Sequence, residues 1–156
     1  MGGLGSAPLP PVGPDDHLLG GGRARSPRPV AIVYADYECP HCAVLNELLT
    51  ARGEPWVFRH FPVRSTHPRA WAAACAAEAA ALQGAFAAMH ASLFADQGRL
   101  EDPHLWKRAE RLGLDVERFD ADRRSDAVTA RVRRDFESGV RAGVVTTPTR
   151  FDTPEA

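Results

Sequence analysis

The sequence predicts an α/β fold: a strand–helix–strand unit, an all-helical block inserted after it, and a return to a strand near the end. Three observations carry this. A short β-branched run, Val30-Ala31-Ile32-Val33-Tyr34-Ala35, is followed within about 30 residues by a helical stretch and a second apolar run from Trp56 to Phe61, which is the pattern of a βαβ unit. From Ala70 to Val140 the apolar residues recur with helical spacing. After Gly143, Val144-Val145-Thr146-Thr147-Pro148-Thr149 restores strand-forming residues.

Each element has its own local signals. The run 30–35 reads as a buried strand and stops at Asp36. Cys39-Pro40 opens a helix, because proline at the first helical position gives up an N–H that has no partner there anyway. Gly53 closes that helix near its expected C′ position. In the helical block, residues 70–83 are rich in alanine, and Gly84 interrupts them. Phe86, Met89, Leu93 and Phe94 share one face of the next helix. Asp102-Pro103 is a cap and first-turn signal, ended by Gly113; Asp115 caps a short helix containing Phe119, and Ser125 caps the last one. Residues 1–28, rich in Gly and Pro without apolar periodicity, read as a flexible lead-in. The domain is expected over 29–152, its helical insertion over about 66–141, and a tail over 153–156.

Composition narrows the function. The 156 residues suffice for one domain, and a hydrophobic share of 44% fits an ordinary globular core. A formal net charge of −1 gives no basic field for nucleic acid. No apolar run reaches the roughly 18–20 residues of a membrane span. The N-terminus has neither a basic start nor an apolar block, so a cytoplasmic location is expected. Three cysteines make no structural disulfide framework.

Two of them form Cys39-Pro40-His41-Cys42 at a helix start. That spacing places both sulfurs near one face of the first turn, within reach of a disulfide. Unpaired N–H groups and the positive end of the helix dipole favour thiolate at Cys39, and His41, when charged, adds to this. Cys39 is therefore expected to be the exposed attacking sulfur and Cys42 the buried resolving one. Zinc binding by the pair would need two further ligands, usually at similar spacing. Cys75, His60, His67, His90 and His104 offer none in that pattern.

Several segments together resemble the DsbA family of the thioredoxin-like superfamily: Asp36-Tyr37-Glu38-Cys39-Pro40-His41-Cys42, Phe58-Arg59-His60-Phe61-Pro62, His67-Pro68 before an Ala-rich helix, Gln83-Gly84-Ala85-Phe86, Met89-His90, Leu112-Gly113-Leu114-Asp115, and Gly143-Val144 with Thr146-Thr147-Pro148-Thr149. The sequence is particularly similar to the bacterial branch found both as free proteins and fused to sodium/proton antiporters. The resemblance runs from about Asp16 to Phe151. It implies a thioredoxin-like fold with an inserted helical domain, and thiol–disulfide oxidoreductase activity through Cys39 and Cys42 without metal or cofactor. Thr147-Pro148 would be the family's cis-proline loop, facing the sulfurs and binding a client strand. The implied partners are client protein or peptide thiols and a redox recycling partner. The rival readings are a non-catalytic thioredoxin-like binding module and a zinc-binding CxxC domain.

Two departures from the family pattern stand out. Val33 occupies the place of an acidic residue that serves the second cysteine. The chain also stops eight residues after Pro148, where the family continues with a C-terminal hairpin strand and helix. An unpaired edge and uncovered apolar surface are therefore expected. The chain is expected to be a monomer, with that edge as the place where a second copy would pair. Cys75, Trp71 and Trp106 read as core residues, and His90 as a packed or hydrogen-bonded histidine.

Overall fold

The computed structural model describes residues 8–22 and 28–154. Four strands form one sheet in the order β1-β3-β2-β4: β1 (His17–Leu19), β2 (Ala31–Ala35), β3 (Trp56–His60) and β4 (Thr149–Asp152). The parallel β2–β3 pair, in the register Ile32 to Val57 and Ala35 to His60, is joined through α1 (Pro40–Arg52). Five helices lie between β3 and β4: α2 (Ala70–Ala81), α3 (Phe86–Ala95), α4 (Asp102–Arg111), α5 (Val116–Arg123) and α6 (Asp126–Arg141).

The helix ends follow the signals in the sequence. Pro40 stands at the first helical position of α1, and Gly53 closes it with φ +67°. The side chains of Asp115 and Ser125 accept the backbone N–H groups of Arg118 and Val128. At α4 the cap is Glu101, one residue earlier than expected, and Asp102 is the first helical residue.

The segment 1–28 was expected to be a flexible lead-in, with order beginning at Pro29; residues 1–7 and 23–27 of it, and 155–156 of the tail, lie outside the described residues. Within it, however, His17–Leu19 pairs antiparallel with β3, His17 opposite Phe58. A three-residue strand is too short to show periodicity, and side chains beyond it hold it in place. Arg59 donates to both carboxylate oxygens of Asp16 at 2.9 and 2.8 Å and to the carbonyls of Pro10 and Pro11. Burial pushes the Asp16 carboxyl up, but the bond and charge of Arg59 outweigh it and hold the group below its ordinary range.

Strand alternation divides the core. Val33, Ala35, Trp56 and Phe58 face a cluster with Cys39, Cys42, the alanines of α2 and the apolar face of α3. Ile32, Tyr34, Val57 and Phe61 face a smaller cluster with Phe136 of α6 and Phe151 of β4. Alanine on α2 lets neighbouring helices come close: Ala73, Ala76, Ala77 and Ala80 are fully buried. Cys75 is buried, as expected, whereas Trp106 is 39% exposed and bonds Asp120 through Nε1. On its outer side α1 exposes Val44 and Leu48, and β4 pairs only with β2 among the described residues.

Helix α6 reaches the sheet because Gly139 has no side chain. A Cβ there would lie 2.7 Å from Phe61 and 2.9 Å from Tyr34. Both rings are packed, so neither yields easily. Gly139→Ala is expected to destabilise the domain by about 1–3 kcal/mol in chemical denaturation.

Candidate active site

The four residues between β2 and α1 lead into the site, and the helical block and the loop before it hold every one of them. Asp36 is buried. Its Oδ1 accepts from the Glu38 N–H at 2.8 Å, and its Oδ2 accepts from the Val63 N–H at 2.8 Å and contacts His67 Nδ1 at 2.9 Å. The Tyr37 hydroxyl bonds His90 Nδ1 at 2.9 Å, while His90 Nε2 bonds Asn46 Oδ1 of α1 at 2.7 Å. Glu38 accepts from the backbone N–H and Nε of Arg69. Gln97 donates from one side-chain nitrogen to the carbonyls of both Tyr37 and Cys39, at 2.9 and 2.8 Å.

Cys39 is the N-cap of α1. Its sulfur accepts the Cys42 N–H at 3.4 Å and lies 3.6 Å from the Thr147 carbonyl oxygen. The Thr147–Pro148 peptide bond is cis. The structure thus brings Cys39, Cys42 and Thr147 together, with Pro40 and His41 exposed beside them. Cys39 is not the exposed sulfur that its position at a helix end suggests. It is 3% exposed and Cys42 2%, because the loop before Pro148 covers the helix end. Burial pushes the Cys42 thiol well above its ordinary range; the Asp36 N–H, donated at 3.5 Å, opposes this only in part. Asp36 therefore approaches Cys42 through its backbone, its carboxylate being occupied elsewhere. Val33 is buried opposite Phe58, so the floor at this point is apolar.

Sequence spacing does not reveal two groups. One is Gln97, which holds the backbone on both sides of Glu38 from 58 residues away. The other is a cluster of half-buried His17 with buried His60 and Glu78, whose ligand atoms lie within 4.8 Å of one another. Both histidine Nε2 atoms meet the same Glu78 oxygen, at 2.5 and 2.7 Å. A histidine bound to metal through one nitrogen ordinarily donates its other N–H to an acceptor. His60 Nδ1 is buried without one, so the set fits a hydrogen-bonded pin that ties β1, β3 and α2. Among the described residues, no third ligand atom of this kind converges on Cys39 and Cys42. Elsewhere, burial and the charge of Glu78 push the Cys75 thiol up to about 11. Burial pushes His90 down to about 3, with the charges of His60 and His17 adding to it.

The sequence profile of the DSBA-like thioredoxin domain matches residues 54–151. The chain belongs to the DSBA-like thioredoxin family. The DSBA-like chain is 44% identical over 151 residues to Na(+)/H(+) antiporter NhaA 3 of Salinispora tropica, covering 90% of this chain and 22% of that protein. It is 41% identical to Na(+)/H(+) antiporter NhaA 1 of a Mycobacterium species, covering 24% of it. The DSBA-like chain thus spans less than a quarter of the length of these relatives. Among the described residues, no helix is long and apolar enough to cross a membrane. A thioredoxin-like oxidoreductase from Silicibacter pomeroyi matches in structure with a TM-score of 0.72 and 27% identity, over 89% of this chain and 80% of that one. α-DsbA1 of Wolbachia pipientis matches with a TM-score of 0.70 and 23% identity, over 92% and 76%; that likeness is one of fold alone. The DSBA-like fold is thioredoxin-like, with the five helices α2–α6 lying between β3 and β4.

Two expected outcomes test the supports of the DSBA-like site. Gln97→Ala removes two hydrogen bonds worth roughly 1 kcal/mol each, so it is expected to lower stability by about 2 kcal/mol in chemical denaturation. Glu78 provides a test by pH. Burial raises its carboxyl, but the His17 and His60 bonds outweigh this and hold it well below the ordinary 4.5. Its stabilisation is therefore present above about pH 4.5 and is lost as pH falls below that value. Glu78→Gln should cost about 1–3 kcal/mol near neutrality, and the gap to the parent protein should narrow on acidification when denaturation is followed against pH.

Proposed function

We propose that the protein is a thiol–disulfide oxidoreductase that exchanges a Cys39–Cys42 disulfide or dithiol with the thiols of client proteins or peptides. The observation that carries this reading is the Cys39 sulfur at the cap of α1, accepting the Cys42 N–H and facing the Thr147 carbonyl. An N–H aimed at a sulfur stabilises charge developing there, and a covering loop keeps water from competing. Family membership and the likeness to a thioredoxin-like oxidoreductase support the same chemistry.

In the oxidising direction a client thiolate attacks the Cys39 sulfur, the Cys39–Cys42 bond breaks, and Cys42 leaves with the electron pair and takes up a proton. A second client thiolate then attacks the client sulfur of the mixed disulfide. The client disulfide forms, and Cys39 leaves reduced. Run backwards, Cys42 is the resolving thiol, and its raised thiol range makes it a poor attacking group until Cys39 is engaged. Pro40 sets the helix start, and the exposed His41 stands beside the pair. Thr147 and Pro148 present backbone for a client chain to lie along as an added strand. No metal or cofactor enters the electron balance; a recycling partner restores the starting redox state.

The burial of Cys39 favours a second reading, a thioredoxin-like module that keeps the pair without turning it over. Insulin reduction and dithiol oxidation separate the two. The parent protein should turn over, and Cys39→Ser should fall to the uncatalysed rate. Cys42→Ser should accumulate the mixed disulfide, visible by mass spectrometry. Equal rates for the parent and Cys39→Ser would eliminate the enzymatic reading.

A further inference from the structure

A groove of about 610 Å³ lies between the β3–α2 loop, α6 and the segment that leads into Pro148. Its floor is apolar: Phe61 stacks on Phe136 at 4.6 Å, and Val144 is buried against them. Its rim is cationic. The Arg64 guanidinium lies over the Trp71 ring at 3.7 Å, which fixes its plane and leaves its N–H edge available. Arg133 stands across from it on α6, with the single carboxylate Glu137 nearby. Arg131 and Arg134 pair with Asp135 and Asp15, whereas Arg64 and Arg133 have no ion-pair partner among the described residues.

The groove adjoins the sulfurs through two connections. Val145, 89% exposed on its wall, is two residues before Thr147, whose carbonyl faces Cys39. The opposite wall is tied to the active loop through the Val63 N–H on Asp36. Two extended residues span at most about 7 Å. A client chain lying along Thr147 with its cysteine at Cys39 therefore brings the side chains a few positions away to the mouth of this groove.

We propose that the groove selects client segments carrying an aliphatic or aromatic residue and an acidic residue within about three positions of the reacting cysteine. The apolar side chain sits on Phe61, Phe136 and Val144, and the carboxylate is taken by Arg64 and Arg133. This rests on the exchange chemistry proposed above and adds the substrate class to it. In each exchange the client loses two electrons and two protons to form its disulfide, and the Cys39–Cys42 disulfide becomes two thiols.

The test uses the oxidised full chain and two dicysteine peptides that differ only in carrying Leu-Asp or Leu-Lys beside the first cysteine. Single-turnover rate constants are measured by quenched flow, with dithiothreitol as a reactant too small to use the groove. The Asp peptide should react about tenfold faster than the Lys peptide at low salt. In the R64Q/R133Q protein the ratio should fall to within about twofold, with the dithiothreitol rate unchanged; both arginines are exposed, and circular dichroism checks the fold. A ratio near one in the parent protein, or an undiminished ratio in the double variant, overturns the proposal. Failure of dithiothreitol itself to react would instead overturn the exchange chemistry, and this proposal with it.

Discussion

The structure depends on how four residues cross from the sheet into α1. Asp36, Tyr37, Glu38 and Cys39 are buried or half-buried, and a buried backbone must have its polar groups paired. The Cys39 N–H goes to the Asp36 carbonyl, the Glu38 N–H to the Asp36 carboxylate, and Gln97 takes the carbonyls of Tyr37 and Cys39. The side chains are held from the helical block and the loop before it: His67 at Asp36, His90 at Tyr37 and Arg69 at Glu38. The inserted helices are therefore the support of the cysteine motif and not an appendage to it. Removing one such partner leaves a buried group unpaired, which costs more than the bond itself contributes.

The same burial makes the two sulfurs different. Cys42 is surrounded by apolar groups on the β2 side, where Val33 and Phe58 pair, so its thiol is held protonated. Cys39 has the cap geometry and the carbonyl of Thr147. His90 extends this arrangement. It must be neutral to accept the Tyr37 hydroxyl proton at Nδ1 while donating from Nε2 to Asn46, and burial keeps it so. Asn46 lies four residues after Cys42, one turn further along α1, so the orientation of the helix that carries Cys42 is set from α3.

Much of this was legible in the sequence where the cause is local. The proline after Cys39, the glycine after Arg52 and the capping side chains of Asp115 and Ser125 act within one turn, so their spacing reports them. The β-branched run 30–35 shows as a buried central strand for the same reason. What spacing could not show is contact between distant residues. His17, His60 and Glu78 are 43, 18 and 61 positions apart, and nothing local links them. The strand His17–Leu19 hides in a Gly- and Pro-rich stretch because partners on β3, not its own propensity, fix it. The burial of Cys39 depends on a loop 108 residues further along.

On the proposed function, reactivity and client selection fall to different side chains. The sulfurs are tuned by the sheet, α1 and the helical block, all of them rigidly paired. The groove is built from α6, the β3–α2 loop and the approach to Pro148, and Gly139 lets α6 come close enough for Phe136 to stack on Phe61. Arg64 and Arg133 make no hydrogen bond to Asp36 through Cys39 among the described residues, although the Val63 N–H of the same wall holds the Asp36 carboxylate. On the proposed exchange chemistry, exchanging these two arginines changes which client is met, whereas a change at Gln97 or His90 alters the sulfurs' support for every client alike.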